Sequence, residues 1–329
     1  MKIFKHIIAC AFPIIALLGC SASKNNSSSS SESSEEAETQ NVVEFNQDSA
    51  LAFVKAQCDF GPRVPNTEAH RKCGSYLVAK LKATGANVIE QDMKLKAFDG
   101  TTLNAKNIIA EINPDSTNNR ILLLAHWDCR PWADNDPDPA KRKLPVMGAN
   151  DGASGVGVLL EIARLCSVSN PGIGIDILLV DAEDWGNSDG DDEDSWALGT
   201  QYWVAHRHRP NYQPAFGILL DMVGASGANF AKEYFSMSYA QGIVETVWNV
   251  AQRAGYASFF TQQSGGGITD DHVFINRGGI PCIDIIHYDA GSGTGFYPGW
   301  HTTHDTFDVI DPASLKAVGQ TLTNLIYRQ

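Results

Sequence analysis

The sequence predicts an α/β protein: a three-layer α/β/α sandwich around a central mixed, mostly parallel twisted sheet. Three observations predict it. Segments with helical spacing alternate with short apolar segments along the chain. Some apolar segments are β-branched and unbroken, as in Ile175 to Val180, which suits strands buried on both faces. Those runs keep ending in Asp, Glu or His, which suits side chains gathered at the carboxyl edge of a parallel sheet.

The first residues do not read as core. Met1 to Lys5 is a short basic start, and Ile7 to Leu18 is apolar but short of the roughly 20 residues that span a bilayer. The stretch reads as a secretory leader over residues 1–19. Its end, Leu17-Leu18-Gly19-Cys20, resembles a bacterial lipoprotein signal, with Cys20 the lipidated first residue of the mature chain. Residues 20–44 are rich in Ser and Glu, cannot bury a core, and are expected to form a flexible tether. One catalytic domain is expected over residues 45–329, exported and held in the bacterial cell envelope, at the periplasmic face or outer membrane.

Within that domain the elements follow in order. Ala50 to Gln57 and Glu68 to Lys82 have helical spacing, the second closed by Gly85. Val88 to Lys94, Asn107 to Ile112 and the apolar run at 120–125 read as strands. Ala153 to Cys166 is a helix opened by Gly and Ser. The strand at Ile175 to Val180 precedes a helix over Trp196 to His206. Phe216 to Leu220 is a strand, Gln241 to Ala254 a helix ended by Gly255, Ile280 to Ile286 a strand, and Ala313 to Tyr327 the closing helix. No internal repeat is visible.

The formal net charge of −13 argues against a nucleic-acid partner. Beyond Cys10 and Cys20 lie Cys58, Cys73, Cys129, Cys166 and Cys282, spaced like no zinc knuckle or CxxC motif. Cys58–Cys73 is the closest pair for a disulfide, and small buried apolar thiols are the commoner outcome.

The candidate site residues lie where the apolar runs stop. The run at 121–125 ends in His126-Trp127-Asp128. A turn of small residues, Gly148-Ala149-Asn150-Asp151-Gly152-Ala153-Ser154-Gly155, presents Asp151 either as a helix cap or as a ligand. The next strand ends in Asp181-Ala182-Glu183-Asp184. Adjacent carboxylates there point different ways, so one can bind a metal while the other moves protons. Asp221 ends another run, and Asp270-Asp271-His272 follows a triple glycine, either as site residues or as the capped start of a helix. In Trp300-His301-Thr302-Thr303-His304, either His301 or His304 could supply an imidazole ligand. The acidic stretch from Asp189 to Asp194 reads as a solvated loop rather than a Ca²⁺ site.

The order HxD, NDGASG, a carboxylate pair, LLD and a late His resembles the M28 zinc peptidase superfamily. Within it, Asp184 in the ED pair, Asp270-Asp271-His272 and Tyr297-Pro298-x-Trp300-His301-Thr302 resemble the zinc-dependent glutaminyl cyclases, as does the segment Phe60 to Pro65. That resemblance implies one Zn²⁺ per chain held by Asp151, Asp184 and His301, with a fourth position open. Family cyclases often carry Glu where Asp184 stands; Asp is one methylene shorter and remains an oxygen ligand. The resemblance makes Glu183 the general acid/base, Asp221 and Asp270 a hydrogen-bonded carboxylate pair beside it, and Trp300, Trp196 and Tyr297 the walls of the substrate pocket. Trp196 read alone is as consistent with a core aromatic. The implied reaction converts an N-terminal Gln of a peptide or protein to pyroglutamate, releasing ammonia.

The same superfamily contains zinc aminopeptidases with a two-metal site, and His126, Asp151, Asp184, Asp221 and His301 could supply it. Trp300 directly before His301, together with the Asp270 motif, favours the cyclase. His126 and Asp128 then support the site rather than bind a second metal. A peptide-binding lipoprotein with a degenerate site would have lost ligands or Glu183, and the sequence retains them all. A monomer is expected.

Overall fold

The computed structural model describes residues 43–116, 120–190 and 192–327. The leader, Cys20 and all but the last two residues of the tether lie outside the described residues. Helices α1 (Gln47–Cys58) and α2 (Glu68–Ala83) come first, capped by the side chains of Asn46 and Thr67. Then follow β1 (Asn87–Lys96), β2 (Thr102–Ile112), β3 (Arg120–His126), α3 (Ala153–Val168), β4 (Gly174–Val180), α4 (Leu198–Ala205) and β5 (Gly217–Asp221). The remaining elements are β6 (Phe230–Lys232), α5 (Tyr234–Arg253), β7 (Phe260–Ser264), α6 (Asp271–Arg277), β8 (Cys282–Ile286) and α7 (Pro312–Tyr327).

The main sheet has the order β1-β2-β4-β3-β5-β8. β2 runs against the others, pairing antiparallel with β1 and β4, while β4–β3, β3–β5 and β5–β8 are parallel. Alternate side chains of each strand serve opposite layers. Ile121, Leu123 and Ala125 of β3 join Leu77 of α2, Val156 of α3, Val244 of α5 and Leu322 of α7 in the larger core. Leu122 and Leu124 of the same strand face Trp203 of α4 and Ile275 of α6 in the smaller one. The architecture is the three-layer, mostly parallel sandwich expected from the sequence.

Some boundaries differ from expectation. α4 starts at Leu198 rather than Trp196, because Ala197 is left-handed (φ 53°) and Trp196 is extended. α5 starts at Tyr234, seven residues before Gln241, where the Glu233 carboxylate caps the amides of Phe235 and Ser236. Its backbone kinks at Ala240, next to the predicted start. The β6–β7 pair was not expected: its strands are short, and β7 reads Phe-Thr-Gln-Gln-Ser, with little apolar signal. All five cysteines among the described residues are free thiols. No described helix is long and apolar enough to cross a membrane.

Candidate active site

The chain order reverses about β3: the next strand, β4, lies on one side of it and β5 on the other. Clefts form outside the carboxyl ends of strands at such a point. His126 ends β3, Asp221 ends β5, and Asp181 follows the last residue of β4. Left-handed residues then redirect the chain: Ala182 (φ 55°), Met222 (φ 48°) and His301 (φ 54°). Such conformations in residues with a Cβ are costly and concentrate at functional sites. At β4 the turn separates neighbouring acids. Asp181 reaches His70, with both oxygens 2.9 Å from Nε2, whereas Glu183 and Asp184 line the cleft.

Asp151 arrives on the glycine-rich turn before α3. Two of those glycines are required sterically. A Cβ on Gly152 would lie 2.4 Å from the His126 carbonyl and 2.5 Å from its Nε2. Gly148 has φ +64°, and a Cβ there would meet the Asp151 carbonyl at 2.3 Å. Arg63 is fully buried and fixes this turn by donating to the carbonyls of Met147 and Gly148, both at 2.6 Å. Asp305 accepts the amides of Asn150 and Asp151 at 2.8 and 3.0 Å. The Asn150 side chain accepts from Gly224 and Ala225, tying the turn to the loop after β5.

Two triads share Asp151. In one, His301 Nε2 lies 3.0 Å from Asp184 Oδ1 and 3.8 Å from Asp151 Oδ2. In the other, His126 Nε2 lies 2.8 Å from Asp151 Oδ1 and 3.3 Å from Asp221 Oδ1. Donors around a tetrahedral zinc stand about 3.3 Å apart, given bonds of about 2.0–2.1 Å. Both triads have metal-ligand spacing. The first fits a cation better, because both Asp184 oxygens are buried and accept no hydrogen bond. His126, by contrast, hydrogen-bonds Asp221.

The electrostatics agree. Burial, then Asp151, pushes the Asp184 carboxyl up to about 6, against the pull of His301. Burial, Asp151 and Asp270 push Asp221 up to about 8. Burial, then Asp270, Asp184 and Asp271, holds Glu183 well above the usual carboxylate range, against His126. Burial opposes protonation of His126, but Asp128, Asp151 and Asp221 outweigh it and hold its pKa well above the ordinary imidazole value. Buried carboxyls so crowded call for a cation or a shared proton.

The cleft is small, about 200 Å³, and is walled by Trp196, Phe296, Trp300 and Ile268. Trp300 stacks on His301 at 3.9 Å and Trp196 at 6.0 Å, nearly parallel to it. A larger hollow of about 690 Å³ beside His70, Lys94 and Tyr202 contains no group with ligand spacing among the described residues, so volume does not mark the site.

Most of the sequence-singled residues therefore meet. Asp151, Glu183, Asp184, Asp221, Asp270, Trp196, Trp300 and His301 line one cleft, and His126 lies directly behind it. His304 is exposed. Tyr297 requires a correction: it packs into the core beside Met222, Ala225 and Ile286, and Phe296 takes the wall position. Asp221 and Asp270 share the cleft; Asp221 faces His126, and Asp270 caps α6. Asp128 supports the acidic pair by accepting the amides of Glu183 and Asp184 at 3.1 and 3.2 Å. In the acidic loop, Glu193 and Asp194 pair with Arg277, while Asp191 lies outside the described residues. Sequence reasoning missed Arg63, Asn150 and Asp305 as supports. Asp305 could have been suspected from the polar run HTTHD, whereas Arg63 carried no signal of its target.

This fold and cluster define an α/β protein with a group of side chains of metal-ligand type and spacing at the carboxyl edge of its sheet. Residues 107–326 match the model of peptidase family M28, and the chain belongs to that family. Among solved structures it is similar to a Bacteroides thetaiotaomicron glutaminyl cyclase, with 52% identity, TM-score 0.86, and coverage of 88% of this chain and 100% of that one. It is equally similar to a Zn-dependent exopeptidase of Parabacteroides distasonis, with the same identity, TM-score and coverage. A Tannerella forsythia glutaminyl cyclase follows at 49% identity, TM-score 0.85, covering 87% and 99%. Among curated relatives, aminopeptidase YwaD of Bacillus subtilis is 26% identical over 301 residues, 89% of this chain but only 58% of that protein. The bovine glutaminyl-peptide cyclotransferase is 21% identical over 294 residues, 79% and 76% of the two chains.

Proposed function

We propose that this protein is a zinc-dependent glutaminyl-peptide cyclotransferase, turning N-terminal Gln of peptides and proteins into pyroglutamate. The observation that carries it is likeness at about half identity to glutaminyl cyclases along their whole length. The small aromatic-walled cleft supports it, since it suits one side chain rather than an extended peptide. Asp151, Asp184 and His301 would hold the zinc, one per chain. A zinc there would polarise the γ-carbonyl of the substrate glutamine.

The protein's own residues do the rest. Trp300 and Trp196 confine the Gln side chain so that its α-amine meets the γ-carbonyl carbon. As the new C–N bond forms, Glu183 takes a proton from the amine. It returns that proton to the departing amide nitrogen, which leaves as ammonia when the old C–N bond breaks. Asp270 accepts a hydrogen bond from the leaving nitrogen and orients it. Asp221 keeps His126 directed at Asp151. Burial and the neighbouring carboxylates raise the Glu183 pKa, which favours its giving a proton back, and a bound cation would lower it and favour its taking one.

A second reading keeps its own support. The His126–Asp151–Asp221 triad has ligand spacing, and the exopeptidase likeness is as strong as the cyclase one. A two-metal aminopeptidase would use Glu183 to activate water. Purified protein given a Gln-initiated peptide should release ammonia, stop with a chelator and recover with zinc; no ammonia under any metal condition would sink the cyclase assignment. We further propose that residues 1–19 are a leader, residues 20–44 a tether anchored through lipid on Cys20, and residues 45–329 a monomeric catalytic domain. Cys20→Ala should release the protein from membranes.

A further inference from the structure

Beyond the cleft, the segment after β3 carries a pair that touches several parts of the site at once. Arg130 is fully buried and donates to Asp134 through Nε at 3.3 Å and Nη2 at 2.6 Å. Its Nη1 donates to the carbonyls of Asp184 and Gly186 at 2.9 and 2.8 Å. Its guanidinium lies between the Trp132 and Trp196 rings, 4.8 Å from each centroid. Asp134 Oδ1 in turn stands 3.4 Å from His301 Nδ1, and Ser188 donates to its other oxygen at 2.5 Å. The surrounding backbone grips the same loop. The Asn135 amide donates to the His301 carbonyl at 3.1 Å, and Asp136 accepts from the amide and hydroxyl of Thr303.

A ligating imidazole presents one nitrogen to the metal, and a carboxylate that receives the other N–H fixes its tautomer and ring orientation. His301 needs such a partner, because its left-handed backbone does not by itself set the ring. Asp134 Oδ1 is the carboxylate oxygen beside its Nδ1, which is buried and makes no hydrogen bond in the structure, so a small ring rotation on metal binding would close the 3.4 Å gap. Asp134 needs a fixed position of its own, which Arg130 supplies from a planar fork that cannot lose its charge.

We propose that Arg130 and Asp134 are positioning residues of the site: Asp134 receives the Nδ1 proton of His301, leaving Nε2 for the metal, and Arg130 holds Asp134, the Asp184 carbonyl and the Trp196 ring in one arrangement. The pair thereby links metal affinity to the shape of the substrate wall. The proposal rests on His301 being a ligand, and the test separates the two claims.

The test measures zinc affinity of the full domain by competition with a chromophoric chelator, alongside the visible spectrum of the Co²⁺-loaded protein. Asp134→Asn keeps an acceptor for Arg130 and should fold. It should weaken zinc binding about 10-fold, and Asp134→Ala about 100-fold, the range seen for such outer partners. Both should shift the Co²⁺ bands, and D134N should recover about 10-fold of the roughly 100-fold that D134A loses. Arg130→Lys should also raise KM for a Gln-initiated peptide at saturating zinc, because Lys cannot fill the space between two rings as a plane. If folded D134N and D134A bind zinc as tightly as the parent while His301→Ala does not, the positioning proposal fails alone. If His301→Ala also leaves zinc affinity unchanged, the ligand assignment fails first.

Discussion

Asp128→Asn tests how the acidic pair is held. Asp128 is fully buried, and its two oxygens accept the amides of Glu183 and Asp184 at 3.1 and 3.2 Å. Hydrogen bonds to a charged acceptor contribute about 1.5–3 kcal/mol each, and neutral ones about 0.5–1.5. The Asn amide keeps one acceptor and turns a donor toward the other N–H. One charge-assisted bond is lost and the survivor becomes neutral, a cost of about 2–4 kcal/mol. That is below the 5–15 kcal/mol or so of a typical domain, so the variant should still fold. Its melting temperature should fall by roughly 3–7 °C, given an unfolding entropy of about 2.1 cal/mol/K per residue over the domain. With Glu183 and Asp184 no longer held, a displacement near 1 Å should lower kcat about 100-fold. Calorimetry and ammonia release at saturating zinc measure the two effects. A variant that melts with the parent and keeps kcat within about 3-fold would refute the reasoning.

Glu183→Gln should retain zinc and lower kcat by about 10²–10⁴, the usual contribution of a positioned acid/base; activity within 10-fold of the parent would remove Glu183 from proton transfer. The attacking α-amine must be neutral. With a pKa of roughly 7.7–8.0, about 1–2% of it is neutral at pH 6 and about half or more at pH 8. Activity on a Gln-initiated peptide should therefore rise roughly 30- to 50-fold across that interval, and a flat profile with chemistry rate-limiting would contradict amine attack. Glu233 gives a stability test. Burial alone would raise its carboxyl, but His272 and the amides of Ser236 and Phe235 outweigh burial and leave it below the ordinary value of 4.5. A depressed folded pKa stabilises above the unfolded value and loses that contribution as pH falls through the folded one. Glu233→Ala should thus destabilise at pH 7, and the gap between variant and parent should narrow below pH 4.5 in denaturant titrations.

What the sequence made legible follows from where its signals are strong. Buried strands such as Ile175–Val180 are uninterrupted apolar runs, so they and the acids that end them stood out. The polar β7 and the kinked start of α5 gave no such pattern, and their positions come from packing. In the cleft, ligand-type residues could be found individually, but which ones converge depends on turns such as Ala182, which separates Asp181 from Glu183. Tyr297 and Phe296 show the limit: adjacent aromatics look equivalent in sequence, and only the turn before Trp300 decides which of them faces the cleft. Supports that act through backbone amides, such as Asn150 and Asp305, have no spacing rule to reveal them.

The most direct test of the cyclase assignment is mass spectrometry of one Gln-initiated peptide after incubation with the zinc-loaded domain. The account predicts a full-length peptide that has lost one ammonia and begins with pyroglutamate. Free glutamine with a peptide one residue shorter would contradict it and assign the cleft to an aminopeptidase.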